Sequence, residues 1–259
     1  MDKKRSFFSA LIVLTIITLT VGNVHTETEK TSRNNISSGN PSKAVSDMPL
    51  AQIVKLEENV FQIGTIKINQ KERFASIQGK INMSDGLVEY LACSPKGKLH
   101  ESVLTLNAEP YHIQVALLLL GLTPGDKPIE FQGAPEKPCG DPLRITISWK
   151  ENGKKVIYSP EQLVLNISNE KIMEKADWVF TGSKIMDGQY MAQVEGSIVA
   201  IYHDPFAIID NRSIEGSDDT HFHANKNILP PVGTLIELKM FSETDLSVKK
   251  RVQCETADK

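Results

Sequence analysis

"LRITISWKENGKKVIY", Leu143 to Tyr158, is the stretch that organises the rest of the chain. Leu143, Ile145, Ile147 and Trp149 fall on one side of an extended segment; Arg144, Thr146 and Ser148 fall on the other. Successive side chains of a strand point to opposite faces, so this alternation predicts a half-buried strand. Asn152-Gly153 follows, and this pair readily takes the two positive-φ conformations of a tight hairpin turn. "KVIY" then returns as the partner strand. The period is two, not 3.6, which points to antiparallel β structure.

Short runs of the same kind extend in both directions. Strands are predicted at 61–69, 73–81, 87–92, 102–106, 190–194, 197–202 and 235–241, most of them bounded by Gly, Asn or Asp. One helix stands out, "PYHIQVALLLLG", Pro110 to Gly121. Pro110 suits the first turn and Gly121 the position just past the end. Residues 115–120 are apolar all round, which predicts burial on most sides. "SPEQ", from Ser159, carries the signature of a short capped helix: a Ser cap, then Pro, then Gln162 at the capping-box position. The expected class is α+β and β-rich, with an antiparallel sheet or sandwich-like core and one main buried helix over 110–121. A faint echo runs through the chain. "LVEYLAC" and "LTPGDKPIEFQ" correspond loosely to "SIVAIYH" and "LPPVGTLIELK", as two related half-domains would.

The N-terminus has a different character. Lys3, Lys4 and Arg5 precede an uncharged apolar run from Phe7 to Val21. A basic start followed by a short apolar run is the pattern of a secretory signal peptide, and a comfortable membrane-spanning helix needs roughly 20 apolar residues. The expectation is a signal peptide over 1–22, or an uncleaved anchor. Residues 23–49 are rich in Ser, Thr, Asn and Lys and too poor in large apolar residues to offset the entropy of ordering. They read as a disordered tether, leaving a globular region over 50–259.

The formal net charge is −3, and no basic block stands outside the N-terminal segment except Lys249-Lys250-Arg251. Nucleic-acid binding therefore has no electrostatic support. The three cysteines are Cys93, Cys139 and Cys254. Cys93 and Cys139 both lie in Pro/Gly turn contexts and are the favoured disulfide pair in an oxidising compartment. Nucleotide-binding glycine motifs are absent from the sequence.

Four constellations carry potential chemistry. His100, Glu101 and Ser102 follow a Pro95-Lys96-Gly97 turn. On a strand His100 and Ser102 share a face, and a Ser–His pair with an orienting acid is the nucleophilic arrangement; Asp210 is the candidate acid. The commoner arrangement is structural, with these side chains bonding across the turn. A zinc-protease H-E-x-x-H is excluded because residue 104 is Leu. His221 and His223, spaced i, i+2, are weak metal-ligand candidates beside Asp218, Asp219 and His203, with a polar surface loop as the commoner reading. Trp178 and Ser183, in "WVFTGS", are candidates for lining a ligand groove, with a core Trp as the plainer alternative.

Taken together, these segments resemble the YdjY-domain family of bacterial proteins. The resemblance rests on "LVEYLACSPKGKLHESVLTLNAEPYHIQVALLLLGLTPG" (87–125), "WVFTGS" (178–183), "GSIVAIYHDPFAIIDN" (196–211) and "LPPVGT" (229–234), in that order. Lys98, His100, Glu101, Ser102, Gly121, Trp178, Gly182, Ser183, Asp210, Pro231 and Gly233 match its most recognisable positions. The resemblance implies an exported bacterial domain and assigns no activity. The ferredoxin label that some members carry does not suit three scattered cysteines without a C-x-x-C. The functional expectation is a non-catalytic extracytoplasmic binding or structural module, with an unidentified ligand or envelope protein as partner. No cofactor is expected, and membrane contact is expected only through an uncleaved N-terminus. A hydrolase or transferase using His100 and Ser102 is the runner-up, and a redox or metal protein comes third.

Overall fold

A computed structural model describes residues 52–243. The expected signal segment and the 23–49 tether lie outside the described residues. The elements, in chain order, are β1 (Ile53–Glu57), β2 (Val60–Ile63), β3 (Ile66–Asn69), β4 (Phe74–Ile81), β5 (Tyr90–Cys93), β6 (Ser102–Leu106), α1 (Pro110–Leu119), β7 (Asp141–Glu151) and β8 (Lys154–Tyr158). Then come β9 (Val164–Asn166), β10 (Lys171–Ile172), β11 (Trp178–Phe180), β12 (Ile185–Met186), β13 (Gln189–Tyr190), α2 (Met191–Glu195), β14 (Ser197–Ala200), β15 (Ile209–Asn211), β16 (Phe222–Ala224) and β17 (Leu235–Ser242).

The hairpin forms as its alternation predicts. β7 buries Leu143, Ile145, Ile147 and Trp149 and turns Arg144 outward. Asn152 and Gly153 take φ of 49° and 78°, and Glu151 pairs with Lys154 across the turn. Trp149 and Tyr158 then stack at 4.4 Å between ring centroids. A 3-10 turn over Pro160–Leu163 carries the expected capping box, with Gln162 accepting from the Ser159 amide.

The large sheet is mixed and closes on itself. Its order runs β4-β17-β7-β11-β15-β14-β5-β6, and β6 pairs back onto β4 through Gly79↔Leu106 and Ile81↔Leu104. Closure removes the free edges of the ring itself, and β1 and β8 remain as edge strands outside it. β1, β2 and β3 continue outward from the first half of β4 as a meander. The interior takes Ala75, Ile77 and Ile81 of β4, Ile236, Leu238 and Met240 of β17, and the apolar row of β7.

Two pairings are parallel: β5 with β6 and β14 with β15. Each is joined by only eight residues, 94–101 and 201–208. Parallel neighbours ordinarily need a crossover of about a dozen residues or more. The two short crossovers are related by the topology. β5 and β14 lie side by side antiparallel, β6 and β15 flank them, and β4 and β11 come next on either side. β7 and β17 complete the ring, again antiparallel. The ring therefore has the pairing pattern of a two-fold repeat, β4-β5-β6-β7 against β11-β14-β15-β17. The echo between "LVEYLAC" and "SIVAIYH" corresponds to β5 and β14. The second echo is displaced: after "LTPG" the chain makes an irregular excursion, and β7 begins only at Asp141.

Three local expectations change. The run 61–69 is not one strand but the antiparallel pair β2 and β3, joined by a turn at Gly64-Thr65. The strand expected over 190–194 stops at Tyr190, the end of β13: Met191–Glu195 is a short helix closed by Gly196 in a left-handed conformation. The main helix buries Ile113, Ala116, Leu117 and Leu120, but Leu118 is 46% exposed. α1 lies on one side of the barrel, so its apolar run is covered on one face only.

Candidate functional site

The first crossover carries the His-Glu-Ser motif. Residues Leu99–Glu101 form a 3-10 turn, not a strand, so the alternation that would place His100 beside Ser102 does not apply. Ser102 is fully buried, and its hydroxyl donates to the Lys98 carbonyl at 2.7 Å. The His100 side chain is 80% exposed, with Nε2 3.3 Å from Glu101 Oε2. Asn82 clamps the turn by donating to the carbonyls of Leu99 and Ser102 at 2.6 and 2.7 Å. Among the described residues no hydrogen bond joins His100 to Ser102.

Asp210, the candidate acid, lies on β15 and is fully buried. It accepts from the backbone amides of Asn211 at 2.7 Å and Asp204 at 3.0 Å. Burial pushes its carboxyl well above the usual carboxylate range, against the opposing pull of those two amides. It organises the second crossover and does not meet His100.

The two crossovers meet instead at Tyr90, a β5 residue. Lys98 of the first donates to the Tyr90 hydroxyl at 2.6 Å, and that hydroxyl donates to Asp204 Oδ2 of the second at 2.7 Å. The Lys98 ammonium also sits 4.8 Å from the centre of the Tyr90 ring. Gln132 joins by donating to Glu89 Oε2 at 2.9 Å. Burial raises the Tyr90 phenol, and the adjacent Asp204 carboxylate adds to the effect. Burial also raises Glu89, reinforced by the charge of Glu101. A phenol held neutral between an ammonium and a carboxylate suits a relay of hydrogen bonds and is a poor nucleophile. The first crossover also touches the residue that separates α2 from β14: Gly97 packs against Gly196, and Ser94 donates its amide to the Gly196 carbonyl at 2.8 Å.

The crossover turn walls a groove of about 350 Å³ on the outside of the sheet. Pro95, Leu99 and Leu235 supply its apolar wall, and Gln78, Lys80, Asn82 and Asn107 supply polar groups. Thr105 also lines it. That residue is only 4% exposed, and its hydroxyl has no hydrogen-bond partner. Leaving a buried hydroxyl unbonded costs about 1–3 kcal/mol, which sets Thr105 apart from the other polar groups of the lining.

A second groove, about 700 Å³, runs along the start of β7 between Arg144, Tyr158, Lys175 and Arg212. Trp178 lines it, but the indole is buried and its Nε1 donates to Glu161 Oε1 at 2.9 Å. Ser183 lines neither groove. Its hydroxyl donates to the Phe206 carbonyl at 2.7 Å and accepts from the Ala192 amide at 3.0 Å, fixing α2 against the second crossover.

His221 and His223 flank Phe222 on β16. His221 Nδ1 lies 3.0 Å from Asp218 Oδ2. The Thr220 hydroxyl and amide, then His221, hold the Asp218 carboxyl down at about 2. His203 does not join them: it is fully buried, with Nδ1 2.9 Å from the Ala134 carbonyl. No group of three or more metal-ligating side chains is assembled among the described residues.

The expected Cys93–Cys139 bridge does not form. Cys93 is a buried free thiol in the middle of the sheet, paired with Ser197 on β14 and Thr105 on β6. Cys139 is disulfide-bonded elsewhere. Membership of β5 places Cys93 in the packed barrel wall, away from the loop that carries Cys139.

Sequence reasoning did not single out Tyr90, Asp204, Gln132 or Thr105. Tyr90 and Asp204 both stand inside blocks that carry the family resemblance, but 114 positions separate them. A family model described as the YdjY domain matches residues 66–240, a span running from β3 into β17 and containing both crossovers and the motif. No curated protein and no solved structure matches the chain.

Proposed function

The chain belongs to the YdjY-domain family, and from that premise we propose that it is an exported, non-catalytic binding module whose ligand seat is the groove beside the first crossover. The observation that carries this reading is the buried, unpartnered Thr105 hydroxyl in a groove walled by Pro95, Leu99 and Leu235. Ligand sites are typically concave and largely apolar, with a few placed polar groups. A compact apolar group bearing hydroxyl or amide atoms suits this lining. In this reading His100, Glu101 and Ser102 shape the wall and take no part in turnover. Ser102 supports that role because its proton is already committed to the Lys98 carbonyl. Export is supported by the basic start and the apolar run over Phe7–Val21.

Methyl-labelled protein titrated with phenol, benzamide and N-acetyl-leucinamide tests the seat. Saturable shifts at Leu99 and Leu235 that vanish in Leu99→Asp are expected. Shifts confined to other regions would overturn the placement. Turnover in a broad hydrolase screen that His100→Ala abolishes would favour the hydrolase alternative. Fusing residues 1–50 to a phosphatase that is active only outside the cytoplasm tests export, and an inactive fusion would count against it.

A further inference from the structure

Resting on the groove beside the first crossover as the ligand seat, we infer that its occupant is an anion: a single N-acylated apolar amino acid, whose carboxylate meets Lys80 and whose amide meets Gln78 and Asn107.

The strand register sets these groups side by side. Leu235 of β17 pairs with Lys80 of β4, and Lys80 pairs with Thr105 of β6, so the three form one row across the sheet. The next row is Glu237, Gln78 and Asn107. Glu237 pairs with Gln78, and the Asn107 amide donates to the Gln78 carbonyl at 2.9 Å. Gln78 and Lys80 are two residues apart on β4 and therefore point to the same, solvent side.

Charge decides what such a surface accepts. Lys80 lines the groove, and among the described residues no carboxylate lines it. Glu237 is diagonal to Lys80 in the register but is committed elsewhere, with Oε2 2.8 Å from Lys155 Nζ and Oε1 4.0 Å from Lys239 Nζ. Lys80 itself has no ion-pair partner among the described residues. An ammonium donates hydrogen bonds and accepts none, so an uncompensated one favours an anionic ligand. The side-chain amides of Gln78 and Asn107 are also uncommitted, and each offers both a donor and an acceptor, as a secondary amide in the ligand requires. Asn82 differs, because its amide nitrogen already donates to the Leu99 and Ser102 carbonyls. Pro95, Leu99 and Leu235 provide the wall for an apolar side chain. A volume of about 350 Å³ is at the small end of ligand sites and suits one capped residue.

The probes are N-acetyl-leucine, N-acetyl-leucinamide and leucinamide, which share a side chain and carry a carboxylate, no charge and an ammonium. Each is titrated into methyl-labelled protein at low salt, and Kd is read from the Leu99 and Leu235 shifts. Kd is expected to rise in that order by about fivefold per step, and the steps should shrink in concentrated salt. Lys80→Arg should keep the order and Lys80→Gln should abolish it. Equal affinities for the three in the parent would overturn the anion and leave the seat standing. An order that survives in Lys80→Gln would overturn the role of Lys80. No shift at Leu99 or Leu235 with any of the three would remove the seat and this inference with it. A gain of more than about tenfold for acetyl-glycylglycylleucine over N-acetyl-leucine would assign the seat to a peptide terminus and overturn the single-residue ligand.

Discussion

The two crossovers solve one topological problem with opposite chemistry. Residues 94–101 and 201–208 each join parallel neighbours in eight residues. The first, "SPKGKLHE", is polar and largely exposed, with Pro95, Lys96, Leu99 and His100 at the surface. The second, "IYHDPFAI", is buried at Ile201, His203, Asp204, Pro205, Ala207 and Ile208. Each carries one histidine. His100 stands in solvent, whereas His203 has no exposed surface. Equivalence of backbone thus says nothing about which copy faces water; packing on the outer side decides that. The recognisable motif lies on the exposed copy, while the groups held under constraint lie mostly on the buried one.

The largest expected effect that would break this comparison is at Asp204. Asp204→Ala leaves the Tyr90 hydroxyl and the Phe206 amide without their acceptor and removes the anion at the end of the Lys98 chain. A loss of about 3 kcal/mol in urea unfolding is expected. A loss below about 1 kcal/mol would mean that the crossovers are not joined through this network.

Gly196→Ala comes next. A Cβ there would fall 2.5 Å from the Gly97 Cα, and the residue has a φ of 72°. Backbone on backbone cannot give way easily, so a loss of roughly 2 kcal/mol is expected, seen as a lower melting temperature. Parent-like melting would show that the first crossover is not seated on the second half.

The two histidines make the sharpest test. Burial lowers the His203 pKa below the usual imidazole value. The folded state therefore holds fewer protons than the unfolded chain as pH falls through about 6.5, and stability drops on acidification. The slope is at most about 1.4 kcal/mol per pH unit for one proton. Asp210 acts in the opposite sense, because its raised carboxyl favours the folded state at low pH. The measurement is accordingly a difference: urea midpoints from pH 7.5 to 5.0 for the parent, His203→Gln and His100→Gln. His203→Gln should lose the acid-side drop, and His100→Gln should keep it.

Smaller effects are expected in the first crossover. Ser102→Ala removes one turn bond and should cost about 1 kcal/mol. His100→Ala should stay within roughly 0.5 kcal/mol of the parent, as for most exposed positions. A larger loss at His100 than at Ser102 would reverse the assignment of roles within the motif.

The sequence by itself determined the local elements and their inward faces. The β7–β8 hairpin, the capped 3-10 turn, the Pro-initiated helix and the β-rich α+β class follow from periods and turn residues that act over a few positions. Steric limits on φ and the alternation of side chains are local physics, so a local pattern suffices to read them. "SPKGKLHE" was legible as a turn for the same reason, although treating its end as strand wrongly aligned His100 with Ser102. Only the tertiary structure decided that β6 closes onto β4, that β5–β6 and β14–β15 run parallel, and that Tyr90 links Lys98 to Asp204. It also excluded Cys93 as a disulfide partner by placing it in the barrel wall. Contacts across more than a hundred positions depend on which strands become neighbours when the apolar faces are buried together. That outcome belongs to the whole set of strands, and no short stretch of the chain contains it.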